Sequence, residues 1–173
     1  MKLIRCTPDH AEAIRAIFNE VILTSTALYE YRPRTPEMIA DWFQVKMKNR
    51  YPVIGLETAD GVLAGFASYG PFRDRPACKY TVEHSVYVDQ RFRGQGCGKR
   101  LVKELIAEAS AQDVHVMIGA IDASNAASIA LHKQMGFTHC GGIKEAGFKF
   151  GRWLDLEFYQ LILPGPSHPD GNG

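Results

Sequence analysis

The chain carries a glycine-rich segment that could bind phosphate groups. Gly94, Gly96 and Gly98 follow an apolar run and two arginines, Arg91 and Arg93, and they precede an amphipathic helix pattern. Glycines at that place leave backbone N–H groups bare at the positive end of a helix dipole, where proteins hold phosphate. The segment therefore predicts a pyrophosphate site.

The spacing of these glycines separates three kinds of phosphate site. A dinucleotide-binding fingerprint needs its third glycine at position 99, which is Lys99. A P-loop needs a glycine five positions before Gly98, where Arg93 stands, and a serine or threonine in place of Arg100. The remaining pattern is a basic residue, two further residues and then Gly-x-Gly, which residues 91–96 satisfy. For this hexapeptide alone, a glycine-rich turn that only ends a strand stays an alternative.

The elements around this loop predict a mixed α/β domain. Runs typical of strands cover residues 3–6, 52–58, 62–70, 81–88, 114–121 and 153–163. Helix patterns follow Thr7 or Asp9, Thr35 with Pro36 in first position, the glycine segment, and Asn125. Asp60-Gly61 predicts a hairpin between the second and third strands, and residues 24–35 predict a loop. The strand over 81–88 and the helix after it must therefore position the glycines.

Length, composition and charge predict one domain without a polyanionic partner. The chain has 173 residues, of which 46% are hydrophobic and 23% charged, enough for one well-filled core and short for two. We expect the domain to span residues 1–163 and the Pro/Gly-rich segment 164–173 to be disordered. Because 20 basic and 19 acidic residues leave a net charge of +1, we expect no binding to nucleic acid or to a membrane.

The apolar runs, cysteines and histidines predict the compartment and the absence of a metal. No apolar run approaches the roughly 20 residues of a membrane span, and the first residues lack a secretory apolar core, so we expect a cytoplasmic protein. The four cysteines form neither a CxxC pair nor a disulfide-scaffold spacing, which predicts reduced thiols. The six histidines and four cysteines lack metal-ligand spacing, so we expect no metal.

A second motif, residues 125–137 with the sequence NAASIALHKQMGF, joins the glycine loop. It opens with a helix-capping asparagine and ends in Gly-Phe. Together with residues 91–96, it resembles the GCN5-related N-acetyltransferase (GNAT) family. In that family the first motif binds the pyrophosphate of acetyl-CoA, and the second lies beside the pantetheine arm. The position of His132 usually carries a tyrosine there, the proposed acid for the leaving thiolate.

The histidine at position 132 and three further segments resemble one branch of that family. TVEHSVYV, AGFKFGRWLDLEFYQL and TSTALYEY are similar to phosphinothricin acetyltransferases, a branch that includes acetyltransferases of methionine sulfoximine and methionine sulfone. The resemblance runs from Ile4 to Leu163. It implies a twisted, mixed and mostly antiparallel sheet with helices on both faces, and a V-shaped splay between two strands that holds acetyl-CoA. It also implies a homodimer.

The resemblance implies a cofactor site made from a strand that pairs with the pantetheine amides, the glycine loop and the capping asparagine. These residues are Val86, Tyr87, Val88, Arg91, Arg93, Gly94, Gln95, Gly96, Cys97, Gly98, Lys99 and Asn125. Because Cys97 lies in the phosphate loop, it is a poor nucleophile candidate, and we expect direct transfer without an acetyl-enzyme.

By the same resemblance, Glu83 is the base that makes the attacking amine neutral, directly or through water. An edge-strand glutamate in solvent is the alternative. His132 is expected to protonate the thiolate or to assist proton removal, and a structural histidine is the alternative. A backbone N–H near Val86 is expected to stabilise the oxyanion. On a regular strand His84 should face away from Glu83, which predicts packing or an indirect role.

The amino-acid substrate is expected to meet the loop before residue 81. Two guanidinium groups could bind a carboxylate and a second oxyanion such as a phosphinate or arsinate, and a solvated Arg-Asp-Arg turn is the alternative. The residues expected at the substrate are Arg73, Asp74, Arg75, Glu83, His84 and Ser85, with Tyr29, Tyr31 and Phe148 as aromatic walls.

These residues predict an N-acetyltransferase that acetylates the α-amine of a small glutamate- or methionine-like amino acid and thereby confers resistance. Candidate substrates are phosphinothricin, arsinothricin, methionine sulfoximine and methionine sulfone, and the paired arginines favour the more anionic, phosphinothricin-like ligands. One alternative is a protein N-terminal acetyltransferase of the same fold, whose peptide groove would prefer a less cationic approach. The other is a module that binds acyl-CoA without chemistry, against which Glu83 and His132 argue.

Overall fold

The computed structural model describes residues 1–171 and shows, over that range, one seven-stranded sheet and four α-helices. The elements, in chain order, are β1 (Lys2–Arg5), α1 (Ala11–Thr24), α2 (Pro36–Lys48), β2 (Val53–Glu57), β3 (Leu63–Pro71), β4 (Thr81–Val88), α3 (Cys97–Ala111), β5 (Val116–Asp122), α4 (Ala126–Gln134), β6 (Thr138–Lys149) and β7 (Arg152–Ile162). The predicted mixed α/β class is confirmed.

The sheet has the order β1-β2-β3-β4-β5-β7-β6, and every neighbouring pair except β4–β5 is antiparallel. The parallel pair runs from Thr81 opposite Val116 to His84 opposite Gly119 and then stops. β4 continues to Val88 on its β3 side only, because β5 has diverged from it. The predicted splay between two central strands is therefore present, and it opens directly after His84.

Helices cover both faces of the sheet because each carries one apolar stripe. α1 and α2 pack Ile14, Phe18 and Ile39 against one face. α3 packs its stripe, which includes Leu101 and Leu105, against the other face. All five of these residues are at most 2% exposed, so helices pack closely on both faces of the sheet.

Three local signals in the sequence have the predicted structure. The Thr35 hydroxyl accepts a hydrogen bond from the Met38 N–H, with Pro36 in the first turn of α2. The Asn125 side chain caps α4 by accepting from the Ser128 N–H at 3.1 Å. Gly61 turns the β2–β3 hairpin with φ of 78°, a conformation that side chains disfavour.

The strand β6 is not predicted by the sequence pattern. It lies at the edge of the sheet and is exposed along most of its length, so it lacks the apolar alternation that marks a half-buried strand. Its pairing with β7 is interrupted between His139 and Gly141 and again between Ile143 and Gly147. These irregularities break the period of two on which strand prediction depends.

Residues 164–171 form no helix or strand, although Asp170 lies 3.3 Å from the Lys79 amine and its N–H donates to the Tyr80 hydroxyl at 3.1 Å. Disorder of the tail stays a prediction, and positions 172 and 173 lie outside the described residues. None of the helices described is both long enough and apolar enough to cross a membrane.

Candidate active site

Two connected cavities lie at the splay between β4 and β5. The larger is a cleft of about 830 Å³ bounded by β4, the glycine loop and α4. The smaller is a pocket of about 260 Å³ that contains Glu83, His84 and His132. They share five wall residues, namely Ala27, Val86, Tyr87, Asn125 and Ser128. A ligand in the cleft can therefore present one end to a second ligand in the pocket.

The glycine loop forms one end of the cleft and leads into α3. Gly94 and Gly96 have φ of 75° and 77°, in the left-handed region, and Gly96 is the N-cap of α3. This geometry leaves backbone N–H groups at the helix start bare toward the cleft, as a phosphate site requires. The predicted cofactor residues that line the cleft are Val86, Tyr87, Val88, Arg93, Gly94, Gly96, Cys97, Gly98, Lys99 and Asn125.

Arg91 and Gln95, two further predicted cofactor residues, lie on the loop without lining the cleft. The Arg91 guanidinium pairs with the Asp89 carboxylate at 2.6 Å, and the Gln95 amide donates to the Arg91 carbonyl at 3.1 Å. Arg93 is also tied down, since it donates to the Glu20 carboxylate at 2.5 Å and to the Val88 carbonyl at 3.0 Å. These contacts fix the loop.

Glu83 lines the smaller pocket and keeps its side chain accessible there. Partial desolvation by the pocket walls raises the pKa of its carboxyl group above the ordinary value. A carboxylate with a raised pKa is a stronger base at neutral pH than an ordinary one. The pocket thus supplies a proton acceptor beside the cleft.

His84 and His132 contact each other directly, which the sequence did not indicate. Their Nε2 atoms lie 2.9 Å apart, and the two residues are only 6% and 2% exposed. The His84 Nδ1 lies 2.9 Å from the Ile118 carbonyl oxygen, and the His132 Nδ1 lies 2.7 Å from the Ser128 carbonyl oxygen. Since both nitrogens of His132 are engaged by the protein, it has no free ring nitrogen to offer a thiolate directly.

Asp122 and Tyr29 form a second polar cluster in the pocket wall. Asp122, at the end of β5, is 4% exposed and accepts hydrogen bonds from the Ser124 N–H at 2.9 Å and from the Ser124 hydroxyl. The Tyr29 hydroxyl donates to Asp122 at 3.0 Å, and burial with this bond raises the pKa of Tyr29. The cluster attaches the loop after α1 to β5. Asp122 was not among the predicted site residues, because a lone aspartate after a strand has no distinctive spacing.

The paired arginines lie in the β3–β4 loop outside both cavities. Arg73, Asp74 and Arg75 are exposed, and none lines the cleft or the pocket. The loop nevertheless passes near the pocket, because the Phe72 ring lies 6.4 Å from the Phe158 ring and Phe158 pairs with the wall residue Ala120.

Of the predicted aromatic walls, Tyr29 lines the pocket, whereas Tyr31 and Phe148 do not. The Tyr31 hydroxyl donates to the Phe148 carbonyl at 2.7 Å, away from the pocket. Ser85 and His84, predicted at the substrate, both line it.

Comparison with known proteins matches residues 14–137 to a model described as the acetyltransferase (GNAT) family. The chain belongs to the GNAT family. It is 43% identical over 157 residues to an L-methionine sulfoximine/L-methionine sulfone acetyltransferase of Pseudomonas paraeruginosa, covering 90% of this chain and 91% of the relative. A phosphinothricin N-acetyltransferase of Streptomyces viridochromogenes is 36% identical over 159 residues, covering 91% and 86%.

A crystal structure of a GNAT phosphinothricin acetyltransferase from Sinorhizobium meliloti, in complex with acetyl-CoA, superimposes with a TM-score of 0.94 at 34% identity. The match covers 99% of this chain and 94% of that one. The resemblance to the GNAT family and its phosphinothricin branch is therefore confirmed, as are the GNAT fold and the acyltransferase class. Within residues 1–171 of this GNAT chain, no three His, Cys, Asp or Glu side chains cluster to hold a metal ion.

Proposed function

We propose that the protein transfers an acetyl group from acetyl-CoA to the α-amine of a small amino acid. The side chain of this amino acid would carry a tetrahedral, oxygen-bearing centre, as in phosphinothricin, arsinothricin, methionine sulfoximine and methionine sulfone. The observation that carries this proposal is the junction of the two cavities, where Glu83 faces a pocket that opens into the cleft. The names of the relatives support the class of substrate. Acetylation would remove the positive charge of the α-amine and so inactivate such compounds.

The cleft fits acetyl-CoA. Its volume of about 830 Å³ lies in the range of cofactor sites, and the two left-handed glycines at one end present N–H groups to a pyrophosphate. Lys99, in the first turn of α3, adds a positive charge at that end, and Asn125 lies at the other end beside the pocket. When bound, acetyl-CoA supplies the activated acetyl group.

Glu83 acts as the general base. The α-amine of an amino acid is largely protonated at neutral pH and must lose a proton before its lone pair can attack. The raised pKa of Glu83 brings it closer to the pKa of the substrate α-amine, which makes proton transfer from the amine to Glu83 less unfavourable. Attack is direct, without a covalent enzyme intermediate. Cys97 is 3% exposed and its Sγ lies 3.6 Å from the Met1 thioether, so it is poorly placed as a nucleophile.

Backbone N–H groups at the splay stabilise the oxyanion. Beyond His84 the β5-facing edge of β4 has no strand partner, so alternate N–H groups there face the cleft. The segment from Ser85 to Val88 includes Val86, which lines both cavities. Donors already aimed at a developing negative charge contribute roughly 10²–10³-fold each to the rate.

Arg73 and Arg75, on a loop that passes near the pocket without lining it, would reach the oxyanion of the substrate side chain. Neither guanidinium forms an ion pair with any residue between 1 and 171, so both are available to a ligand. Arg73→Ala combined with Arg75→Ala should raise KM for an anionic amino acid about 10-fold or more, with acetyl-CoA binding unchanged. Steady-state kinetics with both substrates varied measures this. An unchanged KM for the amino acid would show that the two arginines are solvent-exposed residues that do not bind the substrate.

We also infer a cytoplasmic homodimer. All four cysteines are free thiols, in keeping with a reducing compartment. The β6–β7 hairpin exposes an apolar patch in which the Phe148 and Trp153 rings contact each other and Phe150 lies in the turn beside them, each at least 45% exposed. A patch of this kind on a sheet edge is typical of a protein interface. No nucleic-acid or membrane partner is proposed.

The rate of CoA release with acetyl-CoA and a panel of amines tests the function. The panel contains the four candidate substrates, ordinary amino acids and short peptides. We expect turnover with the candidate substrates and little with the rest. Preference for the phosphinate or arsinate would support substrate binding by Arg73 and Arg75. Preference for the sulfur compounds would still support the N-acetyltransferase activity, but it would argue against a major role for the two arginines. Activity only on peptides would contradict the proposed substrate class.

A further inference from the structure

The contacts of His84 and His132 restrict where their protons can be. Each Nδ1 faces a backbone carbonyl oxygen, at 2.9 Å for His84 and 2.7 Å for His132. A carbonyl oxygen only accepts hydrogen bonds, so both Nδ1 atoms must carry a proton for these contacts to be favourable. The two Nε2 atoms then face each other at 2.9 Å and need a proton between them.

Counting protons gives the charge of the pair. Two neutral imidazoles carry two protons on their four ring nitrogens, which satisfies only two of the three contacts. The third contact would then bring two lone pairs together in a buried place, which is costly. Three protons satisfy all three contacts and give the pair one positive charge.

We propose that His84 and His132 work as one unit that shares a proton between their Nε2 atoms and carries a single positive charge at the junction of the two cavities. His84 is the positioning residue. It holds the His132 ring in place from the side away from Ser128. The inference rests on the proposed acetyl transfer for its consequence, although the proton count itself does not depend on the substrate.

The residues around His84 and His132 leave room for two imidazole rings in contact. Gly119 on β5 has no side chain, and a Cβ there would lie 3.1 Å from the His84 Cε1 and 3.2 Å from the His132 Nε2. Phe137 packs against both rings, with ring centroids 5.2 Å and 5.1 Å away. The pair therefore occupies a space that an alanine at position 119 would already reduce.

Burial and hydrogen bonding have opposite effects on the charge of the pair. Burial lowers the pKa of His132, and burial followed by repulsion from His132 lowers the pKa of His84 to about 3. Because the pKa of His84 is so low, the pair takes a second positive charge only in strong acid. The cost of burying one charge is offset by three hydrogen bonds that coexist only in the singly charged form. Singly charged is the state we assign at neutral pH.

A positive charge at this place assists the reaction. The Ser128 hydroxyl lies 3.3 Å from the His132 Nδ1 and lines both the pocket and the cleft, so the pair reaches the junction through Ser128. Negative charge develops there on the thioester oxygen and then on the thiolate. The pair stabilises that charge from its place in the pocket wall, without breaking its own hydrogen bonds.

Nitrogen-15 NMR of the full chain labelled at histidine tests the proton count without substrate. The six histidines can be assigned by single substitutions. We expect three of the four ring nitrogens of His84 and His132 to be protonated near pH 7, with one proton coupled to both rings. Two protonated nitrogens, in a pair that gains its charge only well below neutral pH, would overturn the proposal.

Variants test the positioning role by kinetics. His84→Phe removes the Nε2 partner, and Gly119→Ala keeps both histidines but crowds both rings, so that they must shift by a few tenths of an ångström. Each should lower kcat roughly 10-fold to 100-fold and move the pH profile of kcat, with KM for acetyl-CoA little changed. His139→Gln, which removes an exposed histidine from β6, is the matched control. If Gly119→Ala retains the wild-type kcat and pH profile in a correctly folded protein, the inference is wrong, whether or not His84→Phe folds.

Discussion

At the residue scale, Glu83, the proposed base, carries a charge that is unfavourable for folding. Desolvation raises its pKa in the folded protein above the unfolded value. Stability from this group is therefore full below the unfolded pKa and is lost as pH rises through the folded pKa. The same shift places the acid limb of the rate profile above the ordinary glutamate range, because the protonated carboxyl cannot accept a proton.

Glu83→Gln separates these two effects. We expect kcat at neutral pH to fall roughly 10²-fold or more, because the amide cannot take the proton of the amine. We expect the melting temperature at neutral pH to stay the same or rise, since a partly desolvated charge is removed. Calorimetry measures the melting temperature, and CoA-release kinetics measure kcat. Glu104→Gln on α3 is the control. Near-wild-type turnover of Glu83→Gln would show that Glu83 is not the general base.

At the scale of elements, Lys149 attaches the end of β6 to the loop that walls the pocket. Its amine is buried and donates to three backbone carbonyls, those of Ile22 at 2.7 Å, Ser25 at 2.8 Å and Leu28 at 2.7 Å. The first lies in the last turn of α1, where carbonyl groups lack helical partners. Leu28 itself lines the pocket. One lysine thus satisfies one carbonyl in the last turn of α1 and two in the segment without regular structure that follows it.

Lys149→Met should destabilise the protein by about 2–4 kcal/mol, because it leaves buried carbonyl groups without donors. It should also raise KM for the amino acid more than KM for acetyl-CoA, since the loop after α1 forms the pocket wall. Urea unfolding and steady-state kinetics measure these changes. Lys144→Met, on the same strand with a 77% exposed side chain, should have little effect. Equal stability of the two variants would contradict the role of Lys149.

Several elements were predictable from sequence because their signals are local. Thr35 and Asn125 announce helix starts, and the run from Thr81 to Val88 has the bounds predicted for β4. β6 was not predictable, because its structure depends on pairing with β7 rather than on burial. A strand held by a neighbour that follows it in the chain carries little signal of its own.

At the scale of the whole molecule, the β6–β7 hairpin predicts how copies of the chain associate. The Phe148 and Trp153 rings contact each other with centroids 5.1 Å apart and remain 45% and 59% exposed. We expect the wild type to be a dimer in light-scattering chromatography. Phe150→Glu with Trp153→Glu should give a monomer with a nearly unchanged melting temperature, since these side chains bury little within one chain.

The control for that experiment lies on α2. Met38 and Met47 are 49% and 57% exposed, so Met38→Glu with Met47→Glu adds the same charge on another apolar surface. This control should remain dimeric. A dimer that survives the hairpin substitutions and dissociates with the α2 substitutions would place the interface on α2 instead.

The sequence by itself determined the family and predicted the phosphate loop and the candidate base, because each depends on residue types at short spacing. Only the tertiary structure decided which distant side chains meet. His84 and His132 are 48 residues apart and Tyr29 and Asp122 are 93 apart, yet each pair forms a hydrogen bond. These contacts depend on the parallel pairing of β4 with β5 and on the point where it ends. That point is set by packing on both faces of the sheet, which no local pattern encodes.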